Sequence, residues 1–362
     1  MKICFFGSSL VSSYWNGAAT YYRGILKALA TLGHQIVFYE PDAFERQSHR
    51  DIPDPNWAKV IVYPATTDGW QRSLESAARS ADLLVKASGV GVFDQELESA
   101  MVDTPSRARR VYWDVDAPAT LDEIAANPWH HLRRAVPRYD MVFTYGGGDP
   151  VVNGYCAFGA RDCIPIYNAL DPEHHFPVPP HIELASDLGF LGNRLPDREA
   201  RVDDFFLGAA RCLRSKRFLL GGSGWDSKDV PANVNRIGHV GTNLHNAFFC
   251  SSLATLNVNR ESMARYGFSP PTRVFEAVGA GACLITDSWK GIDLFLDPDR
   301  EVLVATDGAE VAAHVEALTP SRAREIAKRA RRRILAHHTY THRAFQVHEV
   351  LEGSSEQIEA AG

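Results

Sequence analysis

One pattern limits the fold of this chain more than any other. Short apolar runs alternate with helical stretches, and the alternation stops once and then restarts. Lys2 to Phe6 reads as a first buried strand, and Gly7 to Asn16 as a loop of Gly, Ser and Tyr. Gly17 to Leu32 carries Ala18, Tyr21, Tyr22, Ile25, Leu26 and Leu29 at helical spacing and stops at Gly33. Gln35 to Tyr39 is the second strand. Strand, helix and strand with a short return form a βαβ unit, which predicts a parallel sheet. Helices over Trp70 to Arg79, Asp94 to Val102 and Thr120 to Asn127, the last followed by the stretch Trp129 to Val136, alternate with strands over Asp82 to Ala87, Arg109 to Trp113 and Met141 to Tyr145. Cys163 to Tyr167 closes this half.

Asn168 to Ser186 interrupts the pattern. It holds four prolines within PEHHFPVPPH, too many for a helix or a central strand. The alternation then resumes. Strands are expected over Asp187 to Leu191, Arg217 to Leu220, Arg236 to Val240, Leu253 to Asn257 and Glu301 to Ala305. Helices are expected over Arg198 to Leu213 and Leu244 to Cys250, with Gly308 to Leu318, Arg322 to Ala336 and Tyr340 to Leu351 at the end. The expected fold class is α/β, with two Rossmann-like, doubly wound lobes facing each other across a cleft. The expected division is 1–170 for the first lobe, 171–186 for a linker and 187–338 for the second lobe. Residues 339–362 form a last helix suited to pack back on the first lobe. In such folds ligands bind outside the carboxyl ends of the strands.

A length of 362 residues fits two ordinary domains. A net charge of −6 gives no support to a nucleic-acid role. No run is apolar enough to cross a membrane as a helix, and the start lacks the form of a signal peptide. Six scattered cysteines without a CxxC pair read as reduced core residues of a cytoplasmic protein.

The densest chemical signal is Gly267 to Asp287, GFSPPTRVFEAVGAGACLITD. It reads as loop, helix, glycine turn and buried strand. Ser269 suits the N-cap, and Pro270 and Pro271 suit first helical positions, where no N–H is needed. Arg273 and Glu276 are three residues apart and share one face. A helix start and a guanidinium attract a diphosphate, and a carboxylate one turn deeper can accept both hydroxyls of a ribose. An ordinary Arg–Glu pair on a solvated helix is the plainer alternative.

This stretch resembles the donor-binding segment of GT-B glycosyltransferases, in particular the CgeB-like glycosyltransferases. The resemblance runs from about Leu188 onward. It includes Gly291-Ile292-Asp293, Glu301-Val302-Leu303 and His338-Thr339-Tyr340-Thr341-His342-Arg343, with weaker likeness over Tyr112 to Leu121 and Thr144 to Asp171. Many retaining GT-B enzymes carry a second glutamate eight residues before the ribose glutamate. Here that position is Phe268, which leaves the stereochemical outcome open.

Other groups follow expected strands. Gly192-Asn193-Arg194 would place a guanidinium where a diphosphate leaving group gathers charge. The resemblance supports Arg194 in that part beside Asn193, and a plain surface arginine is the alternative. Gly221, Gly222 and Gly224 admit close backbone approach, and Trp225 is expected to line the cleft; a simple glycine turn is equally compatible. Asp114-Val115-Asp116 is a DxD, which holds a metal in GT-A enzymes. The doubly wound halves favour GT-B, where a metal is usually not needed, so no metal is expected. Asp116 ranks first as acceptor base, with an N-cap or loop contact as alternatives.

In the first half, Ser8, Asn16, Gly17 and Gly147 are candidates for an acceptor loop, although Gly7 to Gly17 also reads as a plain polar loop. Glu40 ends the second strand as a dinucleotide-ribose carboxylate would, but the loop before it is not GxGxxG. His130-His131, His174-His175 and His337-His338 read as structural. The run Arg329 to Arg333 reads as a solvated helix face.

These readings converge on a metal-independent hexosyltransferase. It would use a small-molecule donor, a nucleotide-diphosphate sugar with UDP as the expected nucleotide, as co-substrate and no cofactor. It would pass the sugar to a hydroxyl or similar nucleophile of an acceptor that the sequence does not identify. A nucleotide-sugar epimerase on the same fold and a non-catalytic nucleotide-sugar-binding protein are the alternatives. An NAD dehydrogenase is the weakest.

Overall fold

The structure, a computed structural model, describes residues 1–14 and 16–359, with side chains to 353. The chain divides into two compact units. One is Met1–Tyr167 with the C-terminal segment from Tyr340. The other is Asn168–Thr339.

The first unit is built on a seven-stranded parallel sheet in the order β3-β2-β1-β4-β5-β6-β7. Its strands are β1 (Lys2–Phe6), β2 (Gln35–Asp42), β3 (Ala58–Pro64), β4 (Leu83–Ala87), β5 (Arg109–Asp114), β6 (Met141–Thr144) and β7 (Cys163–Pro165). The central strands are apolar on both faces because helices cover both sides. Phe5 and Phe6, in the innermost strand, are completely buried. Strand β3 lies outside the expected set. It is an edge strand, partly exposed and flanked by prolines, so its apolar run is short and mixed with Lys59. A helix over Gly148–Ala157 was also not expected.

The C-terminal helix Tyr340–Glu359 belongs to this first unit and packs on helix Ala19–Thr31. The fit depends on a missing side chain: a Cβ on Gly24 would lie 2.1 Å from the Tyr340 ring. Tyr21 and Tyr340 meet edge to face at 6.0 Å, and Arg343 Nε donates to the Tyr167 carbonyl.

The second unit has six parallel strands in the order β10-β9-β8-β11-β12-β13. They are β8 (Ser186–Leu191), β9 (Phe218–Gly221), β10 (Val234–Gly238), β11 (Ser252–Asn257), β12 (Leu284–Asp287) and β13 (Leu303–Ala305). Leu188, Phe190, Phe206, Leu220 and Ile285 anchor its core. In each sheet the strand order reverses beside the first strand, between β1 and β4 and between β8 and β11. That reversal opens a crevice at the carboxyl ends, where α/β proteins place ligands.

Two local expectations are corrected. Ser269 does not cap the key helix: its hydroxyl donates to the Gly267 carbonyl. The helix begins at Thr272, with Pro271 at the N-cap and no side-chain cap bond, so both prolines stand before it. A proline has no N–H to lose and favours the extended backbone that Pro271 adopts. The helix expected from Arg198 begins at Pro196 and passes through a π-helical stretch, Asp203–Gly208.

Candidate functional site

The second unit gathers cations and the buried acid Glu276 beside the strand reversal. Three loops build it. The first leaves β8 and enters helix Pro196–Val202, which carries Arg198 in its first turn. The second leaves β11 and carries Arg260. The third leads through Pro270 and Pro271 into helix Thr272–Gly279, which carries Arg273 and Glu276.

The first of these loops is locked to its neighbour. Gly222 has φ +123°, and a Cβ there would lie 2.2 Å from the Gly192 carbonyl oxygen. Only glycine allows the turn after β9 to lie this close to the turn after β8. Trp225 Nε1 donates to that carbonyl at 2.7 Å, and Asn193 Oδ1 accepts the Ser223 N–H at 3.0 Å. A Cβ on Gly224 would meet Arg194 at 3.1 Å. Trp225 therefore does not line an open surface. It is 2% exposed and meets Phe190 edge to face inside the core.

Arg194 is engaged. Its guanidinium makes a two-pronged ion pair with Glu199, both contacts at 2.8 Å, and also reaches Ser227 Oγ. Arg198 and Arg273 differ from it: the Nε of each is buried and has no hydrogen-bond partner. Burial pushes the Arg198 guanidinium down to about 10, and the Arg273 charge adds to the push; Asp197 opposes it and Arg260 adds a smaller repulsion. Arg260 is paired with Asp197. Burial also lowers Arg273, with Glu276 opposing. Two like charges with unmet donors, at a helix start that no side chain caps, form a site for an anion.

Glu276 lies one turn deeper and is 7% exposed, so it does not sit on a solvated helix face. Burial alone would raise its carboxyl. His175, His245 and Arg273 around it, and a hydrogen bond from Thr272, outweigh burial and hold it below the ordinary glutamate value. The ring nitrogens of His175 and His245 and a Glu276 oxygen all lie within 4.8 Å of one another. His175 comes from the Pro- and His-rich stretch, His245 from helix Thr242–Ser251. This spacing is within reach of a metal ion. The Arg273 charge beside Glu276 works against a cation there and in favour of an anionic or hydroxyl-bearing ligand.

Sequence reasoning missed Arg198, His175 and His245. His175 had no signal, because neighbouring histidines in a proline-rich run look alike until the chain is folded. Phe268, at the position of the second glutamate, has φ +49°, and its ring lies under Lys290 Nζ at 5.5 Å. A Cβ on Gly291 would lie 2.2 Å from that ring. The place is half-buried, closely packed against Gly291 and covered by a lysine.

In the first unit the candidate loop residues bind one another. Ser8 Oγ donates to Asn16 Oδ1 at 2.8 Å, and Asn16 Nδ2 donates to the Ser9 and Ser12 carbonyls. Glu40 is fully buried and accepts from Ser9 Oγ, the Leu10 N–H and Gln47 Nε2. A carboxylate so occupied is not open to a dinucleotide ribose. Nothing lies within 4 Å of a Cβ placed on Gly17. Gly147, at φ +93°, turns the chain into helix Gly148–Ala157 above Val151.

The DxD divides in two. Asp114 is fully buried and accepts from Ser88 Oγ, Tyr155 Oη and the Asp116 N–H. Burial pushes it up to about 6 against those three hydrogen bonds. Asp116 is half-buried at the N-cap position of helix Ala117–Ala126. A chelating pair needs both acids at one surface, and Asp114 is enclosed. A cavity of about 290 Å³ lined by Ser186, Arg217, Phe218 and Asn233 lies at the amino ends of β8, β9 and β10, away from the groups above.

Comparison with known proteins bears on the fold and on the second unit. Residues 198–349 match the family model described as glycosyl transferase-like, a stretch that takes in most of the second unit and the start of the C-terminal helix. No curated protein sequence matches the chain. Sucrose-phosphate synthase from Thermosynechococcus elongatus superposes with a TM-score of 0.74 at 13% identity, over 100% of both chains. HepE from Anabaena, solved with UDP-glucose, superposes with a TM-score of 0.68 at 14% identity, over 98% of this chain and 100% of its own. The lipopolysaccharide outer core galactosyltransferase WaaB superposes with a TM-score of 0.62 at 14% identity, over 98% and 100%. The fold is that of GT-B glycosyltransferases, two Rossmann-like parallel-sheet units. These findings do not favour the epimerase and binding-module readings.

Proposed function

We propose that this chain is a glycosyltransferase that takes a hexose from a UDP-linked donor, and that the Arg198–Arg273–Glu276 group holds the nucleotide. One observation carries the reading: two half-buried arginines, each with a buried and unmet Nε–H donor, stand together with an uncapped helix start, and an ionised carboxylate lies one turn deeper. A diphosphate supplies the missing acceptors and a ribose the hydroxyls that a carboxylate accepts. As the sugar departs, charge grows on the diphosphate, so the same arginines speed transfer as well as binding. UDP is favoured because HepE, of the same fold, was solved with UDP-glucose.

Arg194, tied to Glu199, shapes the loop around Asn193, Gly222 and Gly224 and stands behind Arg198 in this reading. Asp116, at a strand's carboxyl end in the first unit, is our choice of acceptor base, with the loop of Ser8, Asn16, Gly17 and Gly147 on the acceptor side. No step needs a metal. CgeB-like enzymes remain the subfamily we favour. No helix among the described residues is long and apolar enough to cross a membrane, and the cysteines among them are unpaired, which fits a reducing, cytoplasmic setting.

The test is a melting-temperature panel with UDP, GDP, dTDP and NAD. A ligand of the folded state stabilises by mass action, so UDP raises the melting temperature most. Stabilisation by NAD alone, or by none of the four, rejects the reading.

A further inference from the structure

We propose that His175 and His245 are positioning residues for the donor's ribose: together they hold the Glu276 carboxylate in one place for the two sugar hydroxyls. The inference rests on the part given to Glu276 above.

Three separate elements converge on this one carboxylate. Helix Thr272–Gly279 supplies Glu276 itself, with Thr272 bonded to it. Helix Thr242–Ser251 supplies His245, which is held by the Val240 backbone and whose Nδ1 is buried without a partner. The Pro- and His-rich stretch supplies His175, 2% exposed. The two imidazoles lie 6.4 Å apart, 28° from parallel.

His175 is delivered by a strap with its own fastenings. The His175 N–H donates to the Asp171 carbonyl at 2.9 Å, and Asn246 Nδ2 donates to the His174 carbonyl at 2.8 Å. A Cβ on Gly279 would lie 2.2 Å from Leu170 and 3.1 Å from the His175 carbonyl oxygen. Further along, the Val178 N–H meets Cys250 Sγ and the His181 N–H donates to Ser251 Oγ. The strap thus ties the helix carrying His245 to the helix carrying Glu276.

Such a cluster gives the fold little. A buried carboxylate beside two imidazoles costs desolvation that an apolar trio would not. Its benefit lies in binding. A carboxylate that accepts two hydroxyls must be ionised and fixed, and the groups facing it are His175, His245, Arg273 and Thr272, with no second acid among them. The unpartnered Nδ1 of His245 leaves one polar atom for the ligand or for a water beside it.

The experiment compares UDP with its 2′,3′-dideoxy analogue by calorimetry on the full chain. His175→Ala and His245→Ala each weaken UDP about 10-fold, as expected when the carboxylate loses one of the two imidazoles within 4.8 Å that confine it, and leave the dideoxy analogue within about 2-fold. His175→Gln and His245→Gln recover part of the loss. If an alanine variant does not fold, its glutamine counterpart carries the comparison, with a smaller loss confined to UDP. Equal loss for both ligands means a purely structural role and overturns the proposal, as does no loss for either. Tight zinc binding by the wild type that all the histidine variants lose also overturns it. Glu276→Gln separates the two layers. If the UDP-to-dideoxy ratio collapses there but survives in the histidine variants, only this inference fails. If the ratio is unchanged in Glu276→Gln, the ribose reading itself fails.

Discussion

The first loop of each sheet invites a direct comparison. In the first unit, the loop after β1 closes on itself: Glu40 takes the Leu10 N–H and the Ser9 hydroxyl, and Asn16 ties Ser8, Ser9 and Ser12. In the second unit, the loop after β8 leads to Arg198, whose Nε has no acceptor, beside Arg273, whose Nε has none either. The two sheets share one architecture and one reversal of strand order. They differ in the charges gathered there: in the first unit the unmet Nε of Arg46 stands beside the buried acid Glu40, whereas in the second two arginines with unmet Nε stand together at an uncapped helix start. Fold places a crevice, and the charge balance around its unmet donors decides which crevice takes an anion.

The largest effect that would break this contrast is at the arginines. Replacing Arg198 and Arg273 together by Gln removes two charge-assisted partners, each worth roughly 1.5–3 kcal/mol, so UDP should weaken at least about 100-fold. Uridine, which has no phosphate, should change little. Equal weakening of both ligands in calorimetry would mean that the unmet donors do not serve a diphosphate.

Next in size is the first unit's staple. Glu40→Ala leaves the Leu10 N–H and the Ser9 hydroxyl buried without an acceptor, at roughly 1–3 kcal/mol for each. Chemical denaturation should show that loss in the first unit's transition, while UDP affinity stays unchanged. A fall in UDP affinity without loss of stability would give Glu40 a place in ligand binding and blur the distinction drawn here.

What the sequence revealed follows from the range of each interaction. Alternating apolar runs are local, so both sheets could be read from them, apart from β3, whose edge position leaves it partly exposed. Arg273 and Glu276 were legible because one helix turn joins them. Arg198 lies 75 positions before Arg273, and His175 and His245 reach Glu276 from two other elements. Trp225 looked like a cleft residue because it follows glycines. Its indole turns inward to the Gly192 carbonyl, a bond between neighbouring strands that no local pattern signals. Ser269 failed as a cap because two prolines hold the chain extended for two more residues before the helix begins.

The smallest effect tests the same contrast at a second pair of positions, the acids that end β5 and β12. Asp114 and Asp287 are both fully buried, and burial raises both. Asp287 has a cation, Arg201, at 2.7 Å, whereas Asp114 has the Tyr155 and Ser88 hydroxyls and a backbone N–H. Asp114 rises from 3.8 to about 6. Between those values the folded state keeps a proton that the unfolded state has lost. The stability this group contributes is therefore complete below about pH 4 and is lost as pH rises through about 6. A rise of that size corresponds to at most roughly 3 kcal/mol, and relaxation around the acid would make it less. Asp114→Asn cannot titrate. Measured by urea denaturation at pH 4 and pH 7, the stability of the wild type relative to this variant should fall between the two. A difference that is constant with pH would show that Asp114 stays ionised at its hydroxyl partners, and that hydroxyls satisfy a buried acid here as well as the arginine does at Asp287.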